Sequence, residues 1–427
     1  MNLYENRNRD GGFSLRCLIT MIPREMRSRL TLLVPFLFLL GGTGGCRQGP
    51  WTLWNAYASR FIDPQGRVVD PQGGGRTTSE GQSYALFFAL VSNDQARFDQ
   101  VLKWTQANLA QGDLATHLPA WLWGKSKEGE WKTLDTNPAS DADVWIAYSL
   151  VEAGRLWNKP AYSSLGREIM GLVARQEVAE LPGFGMMLMP GPSALFTHKG
   201  TFTVNPSYVP LFIFERFSSI QPSGPWGAIA MNIPRLLKQS SRHGFAMDWT
   251  DYLPSDGFYP APPPGSQPTT DPAQKTDPKN EPKNEPKTDP VPALGSYDAI
   301  RVYLWAGMLV EGETRTDMIG SISGMGSYLG NHGAPPERVS DGGIPLGQDG
   351  PVGFSAALLP YLRAFPNSEK TFAQQRIRIG AQLDRDSGLY GKQPTYYDQN
   401  LALFATGFLD ERFRFGLRGE LNVEWTK

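Results

Sequence analysis

Cysteine and histidine are scarce in this chain, and each shortage excludes a class of site. Only two cysteines and four histidines occur among 427 residues. The histidines are scattered and no pair has metal-ligand spacing, so we expect neither a metal ion nor a cofactor. Removal of an N-terminal leader would leave no pair of cysteines, which excludes an intramolecular disulfide.

An excess of charge of one sign is also missing. The 41 basic and 42 acidic residues give a net charge of −1. No global field therefore favours nucleic acid or an acidic membrane, and an uncharged partner is expected. Aromatic residues are plentiful, with 12 Trp and 15 Tyr, which suits stacking on sugar faces and equally suits a helical core.

One apolar run lies near the N-terminus. Basic residues at Arg27 and Arg29 precede Leu30–Gly42, which has signal-peptide length and is too short and Pro-interrupted for a transmembrane span. We expect a leader over residues 1–46 and a periplasmic or secreted protein. Residues 43–46 resemble a bacterial lipobox with Thr43 where Leu is usual. Lipidation of Cys46, which would attach the protein to a membrane, and ordinary cleavage nearby both stay open.

From Trp51 onward, apolar residues recur at helical spacing and hardly any segment alternates as a strand does. The odd-numbered helical segments begin near Trp51, Asp94, Pro160, Pro225, Arg315 and Glu369, and the even-numbered ones near Glu80, Asp141, Pro206, Asp298, Val352 and Tyr396. This regularity predicts six helical hairpins closed into a ring. Because successive helices run antiparallel, every even helix should begin at the same end, where binding loops are expected.

Composition changes abruptly between Pro260 and Pro292, where Pro, Lys, Asp, Asn and Glu dominate and KNEP repeats. Such a segment cannot bury apolar surface and is predicted to be disordered. A domain linker is one interpretation, but too few helices lie on either side for two rings. We expect a surface insertion in one catalytic domain spanning residues 47–427.

Three motifs place a carboxylate beside a serine where a helical pattern begins. They are TTSEGQSY (Thr77–Tyr84), ASDADVW (Ala139–Trp145) and SYDAIRVY (Ser296–Tyr303). An acid in the first turn of a helix is stabilised by the helix dipole. If the helices are parallel, the three acids share one rim. A protonated carboxyl and an ionised carboxylate held in this way are the groups that hydrolyse a glycosidic bond.

Each acid also has a structural interpretation. Ser79 and Gln82 form a capping-box-like pair around Glu80, which would make that acid an ordinary first-turn residue. Asp298 could pair with Arg301 on the surface. Asp143 lies two residues beyond the first aspartate of its motif, faces elsewhere on a helix and is expected to be structural.

With LPAWLWG (Leu118–Gly124), NPSY (Asn205–Tyr208) and GPVGFSAALLPYL (Gly350–Leu362), these motifs make the chain resemble glycoside hydrolase family 8 over Trp51–Trp425. Within the family, the resemblance is to the periplasmic endoglucanases that accompany bacterial cellulose synthases. It implies an all-α fold, a six-hairpin α/α barrel in a single domain. It also implies cleavage of β-1,4-glucan (cellulose) with inversion, and an association with cellulose biosynthesis and with the synthase complex.

The resemblance assigns a role to each acid. Glu80 would be the general acid and Asp298 the general base. Asp141 would bind the distorted sugar in the central subsite, although an older interpretation of its motif makes it a nucleophile.

The remaining candidates for binding substrate are Arg301 and five aromatic residues of rim loops: Trp121, Trp123, Tyr208, Tyr396 and Tyr397. Rim packing is the alternative for each aromatic ring. Tyr208 is the best candidate for a polar role near the catalytic water, because NPSY is specific. Chitosan, mixed-linkage glucan and xylan stay open as substrates. A non-catalytic glycan-binding scaffold is a further alternative, against which the presence of all three acids argues.

Overall fold

A computed structural model describes residues 49–265 and 291–426 of the chain. The predicted leader, Cys46 and most of the Pro-rich insertion lie outside these ranges. The helices in the described residues are α1 (Thr52–Phe61), α2 (Ser79–Val91), α3 (Gln95–Leu109), α4 (Ser140–Leu156), α5 (Pro160–Gln176), α6 (Leu211–Ile220), α7 (Trp226–Ser240), α8 (Ala299–Met308), α9 (Glu313–Ser321), α10 (Ser323–Asn331), α11 (Val352–Ala364), α12 (Glu369–Gly380) and α13 (Tyr396–Leu409).

The helices form two concentric layers. Helices α2, α4, α6, α8, α11 and α13 are the inner helices, and the others surround them. Every residue of α2 except Glu80 is buried, whereas α12 buries only Thr371, Gln375 and Ile379. A helix that is apolar all round belongs inside a core, and one with a single apolar stripe belongs outside. The predicted all-α barrel of six hairpins is therefore confirmed.

Aromatic rings fill the centre of the inner layer. The ring of Phe404 on α13 lies 4.6 Å from Phe88 on α2, 5.1 Å from Trp145 on α4 and 5.0 Å from Trp305 on α8, measured between centroids. One side chain thus contacts three other inner helices. Large rings are needed here because six helices arranged in a ring leave a wide axial space.

All the predicted helices occur, and every start but one lies within two residues of its prediction. The exception is α6, which begins at Leu211 because Pro206–Tyr208 forms a separate 3₁₀ turn. Pro210 disfavours helical geometry at the residue before it, so the helix starts only afterwards. The fifth outer helix is split into α9 and α10.

The expectation of hardly any strand is wrong. The described residues contain β1 (Thr77–Thr78), β2 (Ala120–Lys125), β3 (Trp131–Pro138), β4 (Val178–Leu181), β5 (Gly185–Leu188), β6 (Thr197–His198), β7 (Thr201–Val204), β8 (Trp249–Leu253), β9 (Gly257–Ala261), β10 (Leu294–Gly295), β11 (Pro336–Ser340), β12 (Pro345–Asp349), β13 (Phe413–Phe415) and β14 (Leu421–Val423). They pair antiparallel in five small sheets, ordered β1-β2-β3, β4-β5, β6-β7-β8-β9, β10-β11-β12 and β13-β14. Most span two to five residues, which is too short for alternation to be recognised.

The C-terminal hairpin of β13 and β14 packs against the inner helices. The ring of Phe415 stacks on Phe212 of α6 at 3.7 Å. The hydroxyl of Tyr148 on α4 donates to the carbonyl oxygen of Gly419 at 2.8 Å. The hairpin is thereby held to the barrel. Among the residues that the structure covers, no helix is long and apolar enough to cross a membrane.

Candidate active site

Glu80 lies in the first turn of α2, and its side chain is not used for capping. The N-cap is Thr78, whose hydroxyl accepts from the amide of Gly81 at 3.2 Å. Gln82 instead enters the core, where its Oε1 accepts from the amide of Val68 at 2.6 Å. The capping-box interpretation is therefore wrong. The carboxyl of Glu80 remains available to the cleft at this end of the helix.

Asp141 occupies the equivalent position on α4. Only 5% of the residue is exposed, and its Oδ1 accepts from the amide of Ala142 at 2.8 Å. The N-cap, Ala139, makes no side-chain cap. The carboxyl therefore lies among the first amides of the helix, where the positive end of the dipole stabilises an acid.

Asp298 immediately precedes α8, and another acid caps the helix for it. Oδ1 of Asp248 accepts from the amide of Ala299 at 2.7 Å and from the amide of Ser296 at 2.8 Å. Asp298 has no capping bond of its own. Its Oδ2 accepts from Nδ2 of Asn205 at 2.9 Å. The side chain is thus oriented by an amide donor and remains partly open to the cleft.

Arg301 joins the three acids into what we call the Arg301 cluster. Its Nη1 donates to Glu80 and, at 3.2 Å, to Oδ2 of Asp141. Its Nη2 donates to Oδ1 of Asp298 at 2.7 Å. Only 2% of the arginine side chain is exposed, so the surface-pair interpretation is wrong. Further donations go to the hydroxyls of Tyr84 and Ser207.

The cluster has more acid than base, and burial decides which acid holds a proton. Burial raises the pKa of Asp141 to about 7, with the charges of Glu80 and Asp298 adding to the effect and Arg301 opposing it. Burial and the charge of Asp298 raise the pKa of Asp248 to about 6. One cation cannot balance three ionised acids at close range. Burial therefore favours the protonated form of Asp141 as pH falls below about 7.

Above the cluster lies an open cleft of about 570 Å³. The loops that precede the inner helices all contribute to its walls, which confirms that these helices begin at one end. Its lining includes Glu80, Asp141, Asp298 and Arg301, together with Trp121, Tyr208, Tyr297, Tyr396 and Tyr397. Tyr396 also donates to Oε1 of Glu80 at 2.7 Å. The cleft combines acids with aromatic faces, as a sugar-binding site requires.

The structure does not bring Trp123 into this cleft. Its ring stacks on Trp131 at 5.1 Å and meets the edge of Trp104 at 5.5 Å. The guanidinium of Arg67 lies 4.9 Å from its centroid. Substrate binding by Trp123 stays a prediction, and Cys46 lies outside the described residues. No group of three or more metal-ligating side chains occurs in the described part of the chain.

Sequence reasoning missed four polar residues of the site. Tyr84 lies one turn after Glu80 on the same helix, so helical spacing could have identified it. Asn205 and Ser207 belong to the NPSY motif, in which only the tyrosine was singled out. Asp248 had no local signal, because it lies 50 positions before Asp298, with the Pro-rich insertion between them.

Comparisons with known proteins cover most of the chain. The family model for glycosyl hydrolases family 8 matches residues 44–261. An endoglucanase from Xanthomonas axonopodis pv. citri is 44% identical, covering 88% of this chain and 90% of that protein. An endoglucanase from Escherichia coli K12 is 38% identical, covering 88% and 91%. A solved endo-1,4-D-glucanase from Vibrio fischeri ES114 is 34% identical with a TM-score of 0.76, covering 88% of this chain and 100% of that one.

Proposed function

The chain belongs to glycosyl hydrolase family 8 and is an endoglucanase, and we propose that it cleaves internal bonds of β-1,4-glucan with inversion at the anomeric carbon. The observation that carries the proposal is the Arg301 cluster at the floor of an aromatic cleft. Glu80 and Asp298 bind different nitrogens of one guanidinium, so the arginine lies between them. Inverting enzymes separate their two carboxyls by about 6.5–9.5 Å to leave room for water.

In the proposed reaction, Glu80 donates a proton to the glycosidic oxygen as the bond from that oxygen to C1 breaks. Asp298 removes a proton from the water that attacks C1 from the opposite face, so the new hydroxyl has the inverted configuration. Asn205 holds the base through its bond to Oδ2. Asp298 then releases its proton to solvent and Glu80 takes one up from solvent, since both side chains are partly exposed.

An uncharged glucan suits the walls of the cleft. Trp121 and the tyrosines offer faces on which pyranose rings stack, and the acids with Arg301 offer partners for hydroxyl groups. Burial raises the pKa of Tyr208 well above its usual value, so that hydroxyl stays protonated and can donate to water or to a sugar oxygen. These features support a role for Tyr208 beside the catalytic water.

The stereochemistry can be followed by proton NMR during early hydrolysis of a soluble β-1,4-glucan. Inversion gives the α-anomer first, and mutarotation then equilibrates the products. Initial release of the β-anomer would contradict the proposal and would favour Asp141 as a nucleophile. The Glu80→Gln protein, in the same buffer, is the control for spontaneous or contaminating hydrolysis.

Substrate choice requires a panel, because chitosan, mixed-linkage glucan and xylan remain alternatives. Carboxymethylcellulose, chitosan, barley β-glucan and xylan should be compared at equal mass concentration. The proposal predicts the highest kcat/KM on carboxymethylcellulose, together with a rapid fall in its viscosity as internal bonds break. A higher kcat/KM on one of the other polymers would replace cellulose as the substrate while leaving the hydrolytic mechanism intact.

We also propose that the protein works in the periplasm or outside the cell during cellulose production, near the synthase complex. Support comes from the leader-like run at Leu30–Gly42 and from the motif resemblance described above. Fractionation of the native host tests location, and labelling with a radioactive fatty acid tests lipidation of Cys46. Deletion of the gene should change cellulose yield or chain length, and Glu80→Gln should fail to restore it. Unchanged cellulose would contradict the proposed role.

A further inference from the structure

Two buried acids near Asp141 take no part in the proposed reaction. Asp143 is in the first turn of α4, and Glu177 follows the last residue of α5. Both are 0% exposed. The two carboxyls lie close enough for each to shift the pKa of the other, and within residues 49–265 and 291–426 none of their four oxygens accepts a hydrogen bond from any donor.

This arrangement favours a proton shared between the two carboxyls. Two ionised carboxylates have no donor between them, so a hydrogen bond forms only if one carboxyl is protonated. Desolvation and mutual repulsion would make the doubly charged pair very costly. The charged neighbour that acts on both groups is another acid, Asp141, and no cation of the described chain offsets them.

The pair is also connected to the start of α4 through the backbone. The amide of Met189 donates to the carbonyl oxygen of Glu177 at 2.7 Å. The amide of Ser140, next in the chain to Asp141, donates to the carbonyl oxygen of Pro190 at 3.0 Å. These backbone bonds, together with the pair of carboxyls, connect the end of α5 to the turn that carries Asp141.

We infer that Asp143 and Glu177 share a proton and act as positioning residues that fix the first turn of α4 and, through it, the carboxyl of Asp141. Neither touches substrate. Loss of the shared proton would set two buried negative charges against each other and displace the turn. The inference rests on the proposed role of Asp141 for its catalytic consequence, but the shared proton itself does not depend on that role.

Burial raises the pKa of Glu177 to about 8, and burial with the charge of Glu177 raises that of Asp143 well above its usual value. Both raised values mean that the folded protein binds protons that the unfolded chain has released. Stability from the pair is therefore complete at acid pH and declines as pH rises toward about 8.

The first experiment compares the wild type with the double variant Asp143→Asn/Glu177→Gln, in which amides pair without a proton. Urea unfolding at pH 6, 7 and 8 should show the wild-type unfolding constant rising relative to that of the variant by up to about tenfold per pH unit. Asp317→Asn, an exposed helical acid, is the matched control. Equal pH dependence in the wild type and the double variant would overturn the shared proton.

The second experiment tests positioning through kinetics. The double variant should keep kcat within about threefold of wild type at pH 6, whereas Asp143→Leu, which leaves Glu177 without a partner, should lower kcat about tenfold with KM little changed. Equal kcat in the two variants would overturn the positioning role. If either variant fails to fold, infrared spectroscopy of Asp141→Asn at pH 7.5 decides, because that variant removes the band of Asp141 itself: a remaining carbonyl band of a buried protonated carboxyl supports the pair, and its absence overturns it. Failure of the proposed endoglucanase function would show instead as inactivity of the wild type.

Discussion

Helix α4 carries a buried acid near each of its ends, and the two acids have opposite surroundings. At the start, Asp141 shares one arginine with Glu80 and Asp298. Eleven residues on, about 16 Å along the helix, Glu152 has two arginines to itself. Arg155 donates to its Oε2, and Arg216 donates to its Oε1 at 2.6 Å.

The difference shows how one helix serves catalysis and stability separately. Oε2 of Glu152 also accepts from the amide of Leu421 in the C-terminal hairpin at 2.9 Å, so both carboxylate oxygens accept hydrogen bonds. Two arginines compensate the charge of Glu152, and its bonds connect α4, α6 and the C-terminal hairpin. The Arg301 cluster is under-compensated, and acids that lack cations can exchange protons. Excess acid is costly for folding but necessary for acid–base chemistry.

The largest expected effect comes from changing Glu80, the proposed general acid of the Arg301 cluster. Glu80→Gln should lower kcat by about 10²–10⁴-fold, because the amide keeps the shape of the side chain but cannot donate a proton on demand. Folding should persist, because Arg301 keeps its bonds to two other acids. Initial rates on carboxymethylcellulose and calorimetric binding of a cello-oligosaccharide measure the two effects.

Glu311→Gln, at a 90% exposed side chain, is the matched control and should retain full activity. Near-wild-type turnover by Glu80→Gln would remove Glu80 from the mechanism. Loss of binding together with turnover would instead show that its carboxyl holds the substrate.

Changing Glu152, whose charge two arginines compensate, should instead lower stability and leave activity unchanged. Glu152→Gln leaves two arginines near a buried site without their anion, and removing one partner of a buried pair costs about 3–5 kcal/mol of unfolding free energy. Arg155 is partly exposed, so we expect the lower end of that range. Urea unfolding measures the loss, and kcat per folded molecule should not change. Glu168→Gln, on the exposed face of α5, is the control, and equal stability of the two variants would contradict the prediction.

The contrast between the two ends was only partly visible in the sequence. Glu80, Asp141 and Asp298 could be predicted because each lies in a local motif at a helix start. The helices themselves could be predicted because their apolar spacing extends over ten or more residues in most of them. Local patterns of this kind need no knowledge of which segments meet.

What could not be predicted depends on contacts between distant segments. Glu152 lies among apolar residues of α4, and Arg216 is 64 positions away. Asp248 and Asn205 reach Asp298 and its helix from other loops. The short strands could not be predicted for a related reason: a strand of two to five residues takes its conformation from a partner strand rather than from its own alternation.

A smaller effect is expected from Tyr396→Phe, which removes the donor to Oε1 of Glu80. A hydrogen bond to a charged group contributes about 1.5–3 kcal/mol, so kcat should fall about tenfold or somewhat more. The loss should appear in kcat on soluble glucan with little change in unfolding free energy. Tyr390→Phe, which removes a hydroxyl with no hydrogen bond in the described structure, is the control. Equal kcat for both variants would show that the bond to Glu80 does not assist the acid.

The pH dependence of stability should also reveal the excess of acidic groups in and beside the Arg301 cluster. Burial raises the pKa of Asp141 to about 7 and that of Asp248 to about 6. The folded protein therefore binds more protons than the unfolded chain between about pH 4 and pH 7, and stability falls as pH rises through that window. We expect Tm to be lower at pH 8 than at pH 5 by at least about 2 °C. Asp141→Asn should reduce this difference, and a Tm that rises from pH 5 to pH 8 would contradict the sign.

The smallest effect is expected from shortening the Pro-rich insertion, which ends a few residues before Asp298 in the sequence. Its flanks are fixed independently, since β9 pairs with β8, and Leu294 of β10 accepts from the amide of Asp248 at 2.8 Å. Because β9 extends to Ala261, Pro260 belongs to the folded part, and of the insertion only residues 266–290 lie outside the described ranges. Replacing those residues with a Gly/Ser bridge of half the length should change unfolding free energy by about 0.6 kcal/mol at most.

Activity on soluble glucan should stay at the wild-type level, because the bonds that place Asp298 come from Asn205, Arg301 and Asp248. A folded protein that loses this activity would show that the insertion forms part of the cleft wall, and would end the prediction that it is a dispensable disordered loop.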